Sequence, residues 1–329
     1  MTAPIRIGVL GAARIAPTAL VKPARGTTDV VVEAVAARDV ARARTFADRH
    51  GVPRALADYQ ALIDDPDIDA VYNPLPNGLH GRWTRAALEA GKHVLCEKPF
   101  TANAVEARDI SALASGTGLV VMEAFHYRYH PLMRRMEQIV GSGELGTLVR
   151  VQAAMCFPLP MFSDIRYNYD LAGGAAMDAG CYAVHLVRTL GGSTPRVVSA
   201  EAIMHDARVD RAMSADLAFD GGHTGRVQCS MWSSTLLRLS ARVTGDRGDM
   251  AVLNPVTPQL FHRLSVRTAA GRRVERFPRR PSYRYQLDAF AAAVAGATPT
   301  LTPPEDSVEN MSVIDAMYRA AGLPVRVPA

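Results

Sequence analysis

Lysine is nearly missing from this sequence. It occurs three times in 329 residues, at Lys22, Lys92 and Lys98, while arginine supplies almost all the remaining positive charge. Arginine stays protonated at any useful pH, whereas burial and neighbours can retune an ammonium to share or donate a proton. A lysine here therefore reads as chosen. Cysteine is scarce too. Cys96, Cys156, Cys181 and Cys229 sit inside apolar runs with no C-x-x-C pairing, which excludes a disulfide framework and points to reduced thiols of a cytoplasmic protein. No apolar run approaches the length that spans a bilayer, and no charged segment followed by an apolar one opens the sequence, so neither membrane insertion nor a secretory leader is expected. Long basic tracts are missing as well: the net charge of +5 comes from scattered arginines, whose clusters, such as Arg272-Arg273 and Arg279-Arg280, are no longer than pairs. That argues against a nucleic-acid partner and for a solvated basic surface or small acidic ligands. Repeats and low-complexity linkers are absent, and no metal is expected. What remains, with 48% hydrophobic and 21% charged residues, is an ordinary globular chain about two domains long.

Strand-like and helix-like stretches alternate from Ile5 to Met122. Ile5 to Leu10 reads as a strand, and Gly11-Ala12-Ala13-Arg14-Ile15-Ala16 turns the chain into a helix. Gly11 permits the turn, and Ala13 and Ala16 stand where the dinucleotide fingerprint has its second and third glycines. The helix start would offer N–H groups to phosphates. Taken alone, the same pattern suits an ordinary strand–helix turn. Asp29 to Ala37 reads as a second strand, and Asp39 caps a helix reaching His50. An acid at that strand's end would bond the ribose 2′-hydroxyl of NAD, whereas an arginine accommodates the 2′-phosphate of NADP. The chain has Ala36-Ala37-Arg38-Asp39, so Arg38 favours NADP(H) over NAD(H); the alternative is a solvated charge beside a capping acid. A short helix at Asp58 to Ile63 and a strand at Ala70 to Tyr72 follow, the strand broken by Asn73-Pro74-Leu75-Pro76-Asn77. Asn77 and His80 open a helix reaching Glu89. Then come strand Lys92 to Cys96, helix Ala102 to Ser115 and strand Leu119 to Met122. This alternation argues an α/β chain opening with a doubly wound parallel sheet. Lys98 would stand at the carboxyl end of a strand, where such sheets open their ligand crevice. Pro99 restricts its backbone, and a cis Lys98–Pro99 bond is expected.

Beyond Phe125 the pattern changes. Thr147 to Phe157 alternates as a strand, and five or so further strand-like runs lie between Arg196 and Phe277, separated by turns such as Asp220-Gly221-Gly222 and Gly245-Asp246-Arg247-Gly248, the signature of antiparallel pairing. Arg284 to Val294 and Glu305 to Ala321 read as helices, the second opened by prolines. Between the strands lies a glycine loop that becomes a helix, with Asp178, Tyr182 and His185 at i, i+4 and i+7 on one face. A stripe of acid, phenol and imidazole is either a solvated surface or a working group. Before it, Arg166 and Tyr167, with Arg128, could line a pocket for a polyhydroxylated ring; equally, Asp164 and Arg166 could close a loop salt bridge.

Taken together, Gly11-Ala12-Ala13-Arg14-Ile15-Ala16, Pro74-Leu75-Pro76-Asn77-Gly78-Leu79-His80, Glu97-Lys98-Pro99 and Glu123-Ala124-Phe125-His126-Tyr127-Arg128 resemble the glucose–fructose oxidoreductase, inositol dehydrogenase and rhizopine-catabolism (Gfo/Idh/MocA) superfamily, most of all its dimeric dihydrodiol dehydrogenase and D-xylose dehydrogenase branch. The resemblance runs down to Pro304-Glu305-Asp306-Ser307-Val308-Glu309-Asn310-Met311; each motif is common, but their order and spacing are specific. It implies a Rossmann domain at 1–124 and, at 125–329, an α/β domain with a large, mostly antiparallel open sheet. Copies would pair through that sheet as a homodimer or homotetramer, and the last helix would pack back on the first domain. It implies a nicotinamide cofactor along Gly11, Ala12, Ala13, Arg14, Ile15 and Arg38, the loop residues Pro74, Leu75 and Asn77, then His80, Glu97 and Lys98. The implied reaction moves a hydride between nicotinamide C4 and a secondary alcohol or ketone carbon of a sugar, keto-sugar, cyclic polyol or dihydrodiol. Tyr182 matches the proton-donating position, Asp178 the orienting acid, and Lys98 the group that tunes the tyrosine. A free tyrosine, with pKa about 10, is a poor base, and bringing it to roughly 7 needs about 4 kcal/mol, which a nearby ammonium could largely supply. His185 matches no catalytic position, and it stands with Arg128, Arg166 and Tyr167 as a substrate contact or else as structure. Two other readings are a dinucleotide-binding regulator without turnover and a glycosidase that keeps its NAD bound.

Overall fold

The structure, a computed structural model, describes residues 3–329. Short apolar strands bury both faces only in a sheet covered on both sides, and five of the first six strands are of this kind. β1 (Ile5–Leu10), β2 (Val30–Ala36), β3 (Arg54–Leu56), β4 (Ala70–Asn73), β5 (His93–Cys96) and β6 (Val121–Glu123) form a parallel sheet in the order β3-β2-β1-β4-β5-β6. β4 is buried at every residue and β5 at all but its first. Between the strands run a wide turn at Pro17–Val21 continuing into α1 (Lys22–Ala24), then α2 (Val40–His50), α3 (Tyr59–Ile63), α4 (His80–Glu89) and α5 (Ala104–Ser115). Asp39, Asp58 and Asn103 cap α2, α3 and α5 by accepting first-turn N–H groups, the chemistry that makes such residues helix starters. The strand order reverses between β1 and β4, which opens a crevice at their carboxyl ends. As expected, the segment from Gly11 turns the chain into a helix, which begins at Ala16 after a turn at Arg14 and Ile15. β3 lies at the sheet edge and is too short to show a pattern. The Lys98–Pro99 peptide is cis.

After α6 (Pro131–Gly141), β7 (Leu148–Cys156) enters the interior of an eight-stranded sheet. A wide turn at Ala176–Gly180 leads into α7 (Cys181–Gly191), which packs against β7. The sheet is completed by β8 (Arg196–Met204), β9 (Asp210–Ala218), β10 (Thr224–Ser230), β11 (Arg238–Gly245), β12 (Gly248–Leu253), β13 (Arg263–Thr268) and β14 (Gly271–Glu275), in the order β14-β13-β12-β11-β7-β10-β9-β8. All neighbours are antiparallel except β7 and β10. Seven strands thus follow β7, against the five or so expected; β8 and β14 are edge strands with no fully buried residue, so their alternation is weak. α8 (Ser282–Val294) packs on the helical segment 17–24, and α9 (Pro304–Ala320) lies against α5, α7 and β8. One apolar cluster runs unbroken from Leu10 and Val94 beside the first sheet to Tyr182, Val227 and Met250 in the second. Among the described residues, no helix is long and apolar enough to cross a membrane.

Candidate active site

Each half of the molecule supplies one partner of a buried ion pair. Lys98 leaves the end of β5, and its Nζ lies 3.0 Å from Asp178 Oδ1 and 3.0 Å from the Asp178 carbonyl. Asp178 sits in the wide turn before α7, where its own N–H donates to Gly174 O at 2.9 Å. The second carboxylate oxygen is 3.2 Å from Arg166 Nε. Burial works against an Asp178 carboxylate, but the two cations outweigh it and hold the group below the usual range. Burial likewise works against the Lys98 ammonium, and Asp178 outweighs it, so the lysine is held above its ordinary value. Both partners are therefore charged at neutral pH. Arg166 also lies 3.7 Å from Asp164, which receives Arg14 Nη2 at 3.0 Å. A chain of alternating charges thus runs from the end of β5 across the crevice to the turn after β1.

Tyr182 stands one turn after Asp178. The ammonium of Lys98 lies over its ring, 5.1 Å from the centroid, with Phe125 edge-on at 5.4 Å and His126 at 6.2 Å. Its hydroxyl finds no hydrogen-bond partner among the described residues. Burial pushes the phenol well above 10, and the neighbouring acids Glu97 and Asp178 add to the rise. The ammonium of Lys98 donates to Asp178 and lies by the Tyr182 ring, with no hydrogen bond to the phenolic oxygen. Tyr182 is held as a neutral phenol with a free O–H.

The other expected residues divide sharply. Gly11 has φ +87, and a Cβ there would stand 3.0 Å from the Leu75 side chain. Ala12, Ala13, Arg14 and Ile15 line that turn, with Arg14 and Ile15 exposed. Asp39 is occupied by capping Ala41 N, which leaves exposed Arg38 as the free polar group at the end of β2. Arg42, in the first turn of α2, joins it near Tyr59; its place just after Arg38 was the signal that sequence reasoning passed over. A positive-φ glycine, two small residues and two free arginines suit a phosphate-bearing dinucleotide. Pro74 and Leu75 are buried in the adjoining loop, and Asn77 Nδ2 donates across to Ala172 O at 3.2 Å. Glu97 is also enclosed, accepting from Tyr72 OH at 2.7 Å. His80 straps two loops together: its two ring nitrogens lie 2.7 Å from the carbonyls of Pro99 and Leu75. Burial pushes the imidazole down to about 4, so the ring is uncharged at neutral pH and donates to one of the two.

Of the four substrate candidates, Arg166 alone joins the cluster. Arg128 is committed to both oxygens of Glu137, at 2.5 and 2.7 Å. Tyr167 donates to Leu159 O and packs on Phe162 and His205. His185 turns inward, with Nδ1 2.5 Å from Tyr127 OH and Nε2 3.1 Å from Asp306 Oδ2. Sequence reasoning missed the Arg14–Asp164 pair, which joins two elements 150 positions apart and leaves no local trace.

The model described as oxidoreductase family, NAD-binding Rossmann fold, matches residues 5–125, and the GFO/IDH/MocA C-terminal domain matches residues 133–251. A D-xylose 1-dehydrogenase (NADP(+)) from Haloferax volcanii is 41% identical over 95% of this chain and 96% of its own length. The trans-1,2-dihydrobenzene-1,2-diol dehydrogenase of Bos taurus is 35% identical over 68% of this chain and 66% of its own. A 3-ketoreductase from Actinomadura kijaniata, solved with NADP and TDP-benzene, superposes with a TM-score of 0.89 at 30% identity, over 96% of this chain and 98% of that one. Variants of that reductase have been solved with a lysine and a tyrosine replaced, at the same separation along the chain as Lys98 and Tyr182. Two consecutive family domains and relatives spanning nearly its whole length place this chain in the Gfo/Idh/MocA oxidoreductase family.

Proposed function

We propose that the protein is an NADP(H)-dependent oxidoreductase that moves a hydride between nicotinamide C4 and an alcohol or carbonyl carbon of a sugar or sugar-like substrate. The cofactor would be held by a domain at 1–124 and the substrate by one at 125–329. The observation that carries this is the meeting of Lys98 and Asp178 from the two halves beside a Tyr182 hydroxyl with no protein partner. Bound NADPH supplies the hydride. As the new C–H bond forms, the Tyr182 O–H passes its proton to the substrate oxygen, completing the alcohol. Lys98, kept charged by Asp178, faces the negative charge that develops on that oxygen. Arg166 offers a planar fork of donors and Asp178 an acceptor to neighbouring hydroxyls, which favours a polyhydroxylated substrate. In the reverse direction the alcohol proton must go to a phenolate, and a phenol held above 10 resists forming one. Oxidation is therefore expected to quicken with rising pH up to the alkaline limit of the fold, while reduction holds through neutral pH.

The relatives' names agree with this reading: they are a sugar dehydrogenase, a ketoreductase and a dihydrodiol dehydrogenase, two of them linked to NADP. The 41% identity to the xylose enzyme makes free sugars the first class to try. Copies would pair as a homodimer or homotetramer through the open face of the second sheet, where Arg150, Arg226, Arg242 and Leu253 are exposed or half-exposed. The test follows reduced nicotinamide by absorbance, with NADP or NAD, across aldoses, keto-sugars, cyclic polyols and dihydrodiols. NADP-linked turnover of a sugar is the expected result. Thermal stabilisation by NAD but not by NADP would overturn the role given to Arg38.

A further inference from the structure

The segment after α9 carries an arginine into the interior. Arg326 is fully buried, and each nitrogen of its guanidinium has an acceptor: Nη2 lies 2.8 Å from Asp210 Oδ1, Nε 2.6 Å from Gly173 O and Nη1 2.9 Å from Pro324 O. Its plane stacks 4.1 Å from the ring centre of Tyr318 and 5.1 Å from that of Tyr169. Asp210, equally enclosed, also accepts from Tyr318 OH at 3.0 Å and from Ala176 N at 2.7 Å. A sealed ion pair is a weak source of stability, because desolvating two charges offsets most of their attraction and apolar residues would fill the space as well. What this pair does is grip a particular piece of backbone.

That backbone is the turn at 172–176. Ala172 has φ +57 and Gly174 φ +139, and a Cβ at Gly174 would stand 2.2 Å from Asp210 Oδ1 and 2.7 Å from Arg326 Nη2. Gly174 is the hub of the site's backbone: its N–H donates to Arg166 O at 2.8 Å and its carbonyl accepts from Asp178 N at 2.9 Å. Arg166 and Asp178 are the two residues whose charges meet at the Lys98 pair. The main chain of Arg326 is tied to the other half, since its carbonyl accepts from Asn103 Nδ2 at 2.8 Å, and Asn103 caps α5 just past the cis peptide that follows Lys98. One residue therefore binds a backbone carbonyl on the Asp178 side and the capping Asn103 side chain on the Lys98 side.

We propose that Arg326 is a positioning residue for the reaction, clamping the glycine turn through Asp210 while its own backbone is held by Asn103, so that Asp178 and Arg166 are set against Lys98. This rests on the reading of Lys98, Asp178 and Tyr182 as the reacting cluster. R326K keeps the charge but loses the planar fork, so a single ammonium cannot serve three acceptors in fixed directions. We expect a folded protein whose kcat falls about 10–100-fold, the cost of misplacing reacting groups by around an ångström, with KM for NADP changed by less than about twofold. Hydrogen exchange should quicken in peptides covering 172–182 and stay unchanged in β12 and β13. R326A, if it folds, should recover kcat when guanidinium chloride is added at low millimolar concentration, which a general loss of stability would not allow. Wild-type kcat and wild-type exchange at 172–182 in R326K would overturn the proposal, as would a lower melting temperature with exchange raised evenly along the chain. If the wild-type protein turns over none of the substrates, the proposed function fails by itself, and the exchange at 172–182 still decides whether Arg326 holds this turn.

Discussion

Two clusters in this molecule combine an acid, a phenol and a nitrogen base, and both draw on α7 or the turn that leads into it. One is Asp178, Tyr182 and Lys98 at the crevice. The other is Asp306, Tyr127 and His185 in the interior, where Arg188 Nη2 also reaches Asp306 at 2.9 Å. The interior set is largely enclosed: Tyr127 and His185 are almost wholly buried and bonded to each other at 2.5 Å, while the Asp306 side chain keeps 28% exposure and one carboxylate oxygen without a hydrogen bond. Its groups are driven apart by their surroundings. Burial pushes Tyr127 up and His185 down, and contact with His185 together with the charge of Arg188 holds Asp306 well below the carboxylate range despite its burial. The crevice set differs in one respect that matters for chemistry, a tyrosine hydroxyl left without a partner beside a charged lysine. Composition alone would not tell the two apart. A group that already has its hydrogen bond in the folded state has little left to offer a substrate.

That contrast can be tested by breaking matched members of the two sets. Tyr182→Phe should lower the rate of sugar reduction by about 10²–10⁴, the range for loss of a general acid, whereas Tyr127→Phe should leave kcat within a factor of about three, as expected of a satisfied structural bond. Steady-state kinetics of both variants decide it, and a loss below tenfold in the first would move the proton donor elsewhere. Lys98→Met should cost about 10²–10³ in kcat, as removal of a charge-stabilising donor does, with NADPH binding by fluorescence titration nearly intact. A near-normal rate would end its assignment. Arg38→Ser should weaken NADP binding about 10–100-fold and leave NAD binding unchanged, since a charge-assisted phosphate contact is lost; equal effects on both cofactors would return Arg38 to the solvated surface. His185→Leu should act on stability, costing about 1–3 kcal/mol through the unpaired Tyr127 hydroxyl and Asp306 carboxylate, read from denaturant unfolding, with kcat little changed.

The last test concerns the margin of the interior cluster. Glu123 accepts from Ser307 Oγ, and burial pushes its carboxyl up to about 8. The folded state thus keeps a proton that the unfolded chain releases near the ordinary glutamate value, so stability is greatest below that value and falls as pH rises toward about 8. Glu123→Gln should flatten this slope, measured as melting temperature between about pH 5 and 8. An unchanged slope would assign the pH dependence to other groups.

Much of the architecture could be read along the chain. Asp39, Asp58 and the alternating runs announced their elements because caps and burial patterns are local properties, and the scarcity of lysine drew attention to Lys98. The edge strands and β3 escaped notice because exposure on both faces or extreme shortness erases periodicity. Within the candidate site, spacing put Asp178, Tyr182 and His185 on one helical face, and that inference was too coarse: the chain crosses from a wide turn into α7 there, and His185 faces inward while Tyr182 meets the crevice.

The sequence by itself determined which elements form, where Lys98 leaves its strand and which family the motifs resemble, because these depend on backbone propensities and on neighbours a few positions away. Only the tertiary structure decided that Lys98 answers to Asp178 and not to the tyrosine oxygen, that Tyr182 is held as a neutral phenol, and that Arg326 reaches the glycine turn from beyond α9. Those outcomes turn on desolvation and on charges brought together from distant parts of the chain, and both are properties of packing.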